Sequence, residues 1–205
     1  YAIIQAHIRF GDYLMIQFAH NDQKLANLRA KEGYMEALCR YIEETLAIGA
    51  YPILVTPVCR NTWRVSGVYA DFLEEYAQAC KLAAARYQIP VIDLHGASKD
   101  FIIQHGPEQT ARYYYPKYFT HPNDYGAYLL AGMAVKEYCG QMRTGNYAEA
   151  YSRLASLMTR HGEWEPREVS IHLDNITSGT VWYEQDKEAA GQIRSVEELE
   201  SMIKM

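Results

Sequence analysis

Apolar residues fall along this chain in blocks whose spacing switches between that of a buried strand and that of a helix. The run from Tyr13 to Phe18 is almost continuously apolar, as a strand covered on both faces reads when neither side meets water. Gly11 and Asp12 supply a turn before it. Met35, Leu38, Ile42 and Leu46 then recur at helical spacing in a helix predicted over 31–48, and Gly49 is placed to stop it. A second strand, Tyr51 to Val58, is followed by a polar loop over 60–67 and a helix over 69–87 striped by Leu73, Tyr76, Cys80 and Ala84. A third strand runs from Ile89 to Leu94, with a helical stretch around 99–105 after it. A last helix extends from Pro122, whose missing N–H costs nothing in a first turn, to Cys139.

Alternation of this kind predicts an α/β fold with a parallel sheet and right-handed crossovers. Three strands make a thin sheet, so a preceding unit is expected to be missing, or a second copy of the chain to cover the exposed strand edge. The chain divides into an α/β domain over 1–139 and an extension over 140–205. In the extension, Asn146 to Glu149 reads as a capping box opening a helix striped by Tyr151, Leu154 and Met158. Two strand-like runs between Glu163 and Tyr183 suggest a hairpin, and Ser195 to Glu198 caps a short terminal helix. The extension carries no recognisable chemistry.

Composition narrows the partners. Of 205 residues 49% are apolar and 22% charged, which predicts a packed core. A net charge of -5 argues against a face that binds nucleic acid through its phosphates. No apolar run approaches the length of a membrane span. Cys39, Cys59, Cys80 and Cys139 lie far apart with no C-x-x-C pair, which suits buried thiols better than a zinc site or a disulfide framework. The 18 tyrosines fit either a sugar-binding cleft or the edges of a core.

Candidate chemistry sits at two strand ends. Ala19-His-Asn-Asp22 follows the first strand, where open α/β sheets bind ligands. An Asn21 carboxamide there can donate to an oxyanion, and Asn21 with Asp22 equally suits a turn and a cap. His121, just before the last helix, is placed to act as a general base; a capping or surface histidine reads the same way. Arg60 can bind a substrate carboxylate or simply be a solvated loop arginine, and Trp63 can stack on a ring of a ligand or pack within the loop. Asp93 and His95 look like a second acid–base pair with a structural or cleft-lining place. His7, His20, His105, His161 and His172 show no metal-ligand spacing, so no metal is expected.

Taken together, two segments carry a resemblance. Gly11 to Lys24, with its His20-Asn21-Asp22, resembles the third block of the SGNH (GDSL-type) esterase superfamily, most closely the branch of rhamnogalacturonan acetylesterases. Phe119-Thr-His-Pro-Asn-Asp-Tyr-Gly-Ala127 resembles that family's last block, and Val55 to Arg60 and Val91 to His95 fall where the branch has its next two strands. The resemblance spans about residues 3–139. It implies a three-layer α/β/α, flavodoxin-like fold and serine-type removal of O-acetyl groups from a cell-wall polysaccharide, without cofactor. It makes Asn21 the oxyanion asparagine and His121 the catalytic histidine; Arg60, Trp63 and His20 stand beside them as candidates for substrate binding on their own residue chemistry. Three departures stand out. The chain's one Gly-Asp, Gly11-Asp12, is followed by Tyr13, so the Gly-Asp-Ser nucleophile block and the family's separate glycine block are expected to lie outside this chain and the chain to be catalytically incomplete. Tyr118 stands where the family usually has an aspartate orienting the histidine, leaving Asp124 or a backbone carbonyl for that role. Ala19 stands where the family has glycine. The alternatives are a non-catalytic relative serving as a carbohydrate-binding or interaction module, and an unrelated α/β domain with a small ligand at its strand ends.

Overall fold

The computed structural model describes residues 2–115, 118–145 and 147–160. A short helix, α1 (Ala2–His7), leads through the Gly11 turn into β1 (Tyr13–Ile16). One turn of 3-10 helix (Asp22–Lys24) and a wide turn (Ala30–Tyr34) lead into α2 (Met35–Ala47). Then come β2 (Tyr51–Val55), α3 (Glu74–Tyr87), β3 (Val91–Ile92), α4 (Leu94–Ala111), α5 (Asp124–Gly140) and α6 (Ala148–Arg160). The strands form one parallel sheet in the order β1-β2-β3, with Tyr13 opposite Tyr51 and Leu54 opposite Val91.

β2 is the hub. Leu54 packs with Ile16 against Leu38 and Ile42 of α2 and Ala79, Cys80 and Ala83 of α3. Its neighbours Ile53 and Val55 point the other way, toward Tyr138 of α5 and Tyr151 and Ala155 of α6. Period-2 alternation with both faces buried thus yields helix, sheet and helix layers, the expected α/β/α architecture. The tyrosines explain much of their abundance here. Tyr13, Tyr51 and Tyr151 stack edge to face or tilted, while their hydroxyls or that of Tyr138 reach carbonyls: Tyr151 to Pro52 at 2.8 Å, Tyr138 to Tyr151 at 3.0 Å and Tyr13 to Ala150 at 2.6 Å. A buried aromatic body with a satisfied polar tip suits such a helix–sheet seam.

Element ends differ from expectation for local reasons. β1 stops at Ile16, because the chain bends at Ala19, whose φ of 118° lies in the left-handed half of backbone space. The helix expected from 69 begins at Glu74; Tyr69 instead pairs with Trp63 across the preceding loop. α4 starts at Leu94 because the Asp93 carboxylate caps it, accepting from Gly96 N–H, and it passes Pro107 through a kink at Gly106. The hairpin expected over 163–183 and the cap at 195–198 lie outside the described residues, as does Asn146.

Candidate functional site

The carboxyl ends of the strands gather His20, Arg60 and His121. His20 follows β1 and its backbone carbonyl receives the Arg60 Nη2 donor at 3.4 Å and the Gln23 side-chain amide at 3.0 Å. Arg60, expected in a solvated loop, is only 4% exposed. Its Nε and Nη1, like His20 Nε2 and His121 Nδ1, are buried without a hydrogen-bond partner among the described residues. These three residues thus hold four unmatched polar atoms, an arrangement costly to bury and one that a polar partner would relieve. Burial lowers the Arg60 guanidinium to about 10, so it stays charged at neutral pH. Burial, and then the charge of Arg60, lowers His20 to about 3, with smaller pushes from His121 and Lys24 against a hydrogen bond with the Val58 backbone. His20 is therefore a neutral imidazole under ordinary conditions.

His121 owes its place to Asn123. The Asn123 carboxamide oxygen caps α5 by accepting from Gly126 N–H at 2.9 Å, while its Nδ2 donates to the carbonyls of Arg112 at 2.8 Å and Tyr114 at 3.3 Å. Tyr115 N–H also donates to the His121 carbonyl. Gly126 is required: a Cβ there would lie 1.9 Å from the Tyr113 carbonyl oxygen. The loop after β2 is tied to the same segment, with Asn61 N–H on the Phe119 carbonyl and the Tyr114 hydroxyl on that of Cys59.

The remaining candidates take different places. Tyr118 is buried with its ring 5.4 Å from that of His121, so an aromatic face meets the histidine where a carboxylate would orient it. Asp124 is exposed in the first turn of α5, and no hydrogen bond joins it to His121. Asn21 is exposed at the turn after β1, its Oδ1 accepting from Lys24 Nζ at 3.2 Å, which leaves the amide N–H groups for another partner. Trp63 is held inside its own loop, its Nε1 on Asn61 Oδ1 at 2.7 Å and its ring against Tyr69. A cavity of about 390 Å³ lies on the α3 side of the 22–24 turn, lined by Gln23, Lys24, Arg29, Asp71 and Glu74. Its walls include neither Asn21 nor His121.

Asp93 and His95 do not form a pair with each other. The Asp93 carboxylate accepts from Thr56 Oγ1 at 3.1 Å and faces Lys81 Nζ at 2.6 Å. His95 Nε2 meets Asp71 at 3.1 Å, and Lys99 bridges Asp71 and Glu74 at 2.9 Å to each. Asp71 falls in the stretch expected to be helical but lies in the loop before α3, so only the folded chain reveals its partner.

No family model matches the chain. It is 37% identical over 109 residues to rhamnogalacturonan acetylesterase RhgT of Bacillus subtilis, covering 53% of this chain and 47% of that protein. It is 31% identical over 136 residues to the probable rhamnogalacturonan acetylesterase YesY of the same organism, covering 61% of each. The crystal structure of Bacillus subtilis YxiM, an uncharacterized esterase, superposes with a TM-score of 0.58 at 31% identity, over 65% of this chain and 38% of that one. The chain thus spans about half the length of the first of these relatives. Sequence and fold both bear out the resemblance to SGNH esterases of the rhamnogalacturonan acetylesterase-like branch.

Proposed function

We propose that this relative of the rhamnogalacturonan acetylesterases supplies the oxyanion-binding asparagine and the general base of a serine-type esterase acting on O-acetyl groups of a cell-wall polysaccharide or its oligosaccharides. The observation that carries the reading is the meeting of His20, Arg60 and His121, with buried unmatched polar atoms, at the strand ends next to Asn21. Acyl transfer needs a base beside the nucleophilic hydroxyl and donors around the oxyanion. In this assignment His121 takes the proton of the attacking hydroxyl and returns it to the leaving sugar oxygen. Asn21, its carboxamide oxygen engaged by Lys24, turns its N–H toward the oxyanion. Arg60 and neutral His20 hold polar groups of the sugar, and a permanently charged guanidinium favours an acidic one.

The test is acetate release from acetylated pectic oligosaccharides, read beside the nuclear magnetic resonance signals of the labelled chain. The Asn21 and His121 signals shift on addition of the acetylated sugar. Where acetate is released, Asn21→Ala lowers the rate roughly 10²-fold, as loss of an oxyanion donor does, and His121→Ala removes most of it. Undiminished release in both variants, or a sugar that perturbs neither residue, overturns the assignment.

Two observations favour a second reading, a carbohydrate-binding relative without turnover. Among the described residues His121 Nδ1 has no hydrogen-bond partner, and the Tyr118 ring lies where an orienting carboxylate is usual. Binding that perturbs Asn21 and His121 with no acetate released would select it.

A further inference from the structure

Beneath Arg60 lies a second constellation with no part in the proposed esterase chemistry. The Cys59 sulfur, a ring nitrogen of His95 and a carboxylate oxygen of Asp71 lie within 4.8 Å of one another. They come from three places far apart in the sequence: the loop after β2, the loop before α3 and the first turn of α4. Cys59 and His95 are 1% and 2% exposed.

We infer that Cys59, Asp71 and His95 form a site for one divalent cation of borderline softness, zinc above all, entered from the neighbouring cavity. Donor type argues first. One thiolate, one imidazole and one carboxylate suit zinc, whereas calcium and magnesium take oxygen alone. Geometry argues second. Zinc bonds of about 2.0–2.3 Å set tetrahedral ligand atoms roughly 3.3–3.8 Å apart, so three donors already this close need only small inward movements.

The surroundings hold these donors in place. Cys59 N–H donates to Ser98 Oγ at 2.9 Å, and His95 N–H to Thr56 Oγ1 at 2.7 Å. Leu73 N–H donates to Asp71 Oδ1 at 3.0 Å. Such outer contacts fix ligand orientation. Lys99 is the competing cation, 2.9 Å from Asp71 Oδ2 and 2.9 Å from Glu74. The carboxylate can offer Oδ1 to the metal and keep Oδ2 on Lys99, or release Lys99 to Glu74. Access runs through the cavity of about 390 Å³, whose wall includes Asp71, Glu74 and Glu75 together with Lys24 and Arg29, and its water can complete the fourth position. Binding forms metal–sulfur, metal–nitrogen and metal–oxygen bonds and sends the Cys59 thiol proton to solvent, with His95 bound as the neutral imidazole. No oxidation state changes.

Cobalt(II) titration of the full chain tests this directly. A sulfur-to-cobalt charge-transfer band with intense visible bands should saturate at one equivalent and vanish on adding zinc. Calorimetry of zinc binding in buffers of different ionisation heat should report proton release. Cys59→Ser should remove the band. His95→Gln should weaken zinc by more than the roughly 10- to 100-fold that loss of an outer-shell partner costs. A variant with Cys39, Cys80 and Cys139 all changed to Ala should keep the band, and circular dichroism establishes folding for each variant. No charge-transfer band in the unmutated chain, or a band that survives Cys59→Ser, overturns the site.

Discussion

Ala19 carries the clearest cost of any single residue. Its φ of 118° lies where a Cβ is strained, and it is fully buried. The strain is held because Asp22 Oδ2 accepts from Ala19 N–H at 2.7 Å, closing the turn that presents His20 and Asn21. Ala19→Gly should therefore raise stability by about 1 kcal/mol, the gain from relieved strain exceeding the added unfolded-state entropy; a lowered urea midpoint would contradict it. His20 gives a pH prediction. Its folded pKa of about 3 lies below the usual 6.5, so between those values the unfolded chain binds the extra proton. Stability contributed by neutral His20 is complete above about pH 6.5 and is lost progressively as the pH falls toward 3. Urea midpoints at pH 7, 5 and 4 should converge between the parent and His20→Asn relative to their separation expected without this linkage, and parallel midpoints would refute it. The residue scale is also where sequence reading was uneven. Asn21 and His121 stand out because their neighbours form recognisable blocks. The burial of Arg60 and the partnership of Asp71 with His95 depend on how loops cross, which no local spacing encodes.

At the scale of elements, periodicity served well wherever both faces of an element are buried. The three strands and the helices on either side follow from runs such as Tyr51 to Val55 and Met35 to Leu46. Boundaries failed where side chains compete with the backbone. Gln17 leaves the end of β1 with its amide on the Thr56 carbonyl, and Asp93 starts α4 earlier than its apolar stripe suggests. Past the stretch read as helical around 99–105, α4 continues through a kink at Gly106-Pro107, with Thr110 Oγ1 donating to the Ile102 carbonyl at 3.4 Å across it. α1 is short and largely exposed, so it left no pattern to read. The contact of α5 with the loop before it yields a test. Gly126→Ala places a methyl against the Tyr113 carbonyl and must push α5 away from the segment that holds His121. A loss of roughly 1–3 kcal/mol is expected, as for overpacking, with the His121 signals displaced in the same spectrum. An unchanged melting curve and spectrum would show that the approach is looser than described.

For the whole molecule, the two edges of the sheet are unequal. The β3 edge is stoppered, since Gln141 Nε2 occupies the Val91 carbonyl. Among the described residues no strand pairs with the outer edge of β1. Tyr51 N–H donates to the Asp12 carbonyl, so by alternation the peptide groups of Tyr13 and Met15 face outward. Apolar side chains on and just after β1 are exposed as well: Met15 is 45% exposed and Phe18 44%. The 205-residue chain should therefore self-associate as its concentration rises, and a sedimentation coefficient independent of concentration would refute this. The inequality also limits how far assembly goes. With one edge free and the other plugged, two molecules that join along β1 use up every open ladder position and have none left to offer a third. The stoichiometry would stop at two, and a fibre could not grow from this face.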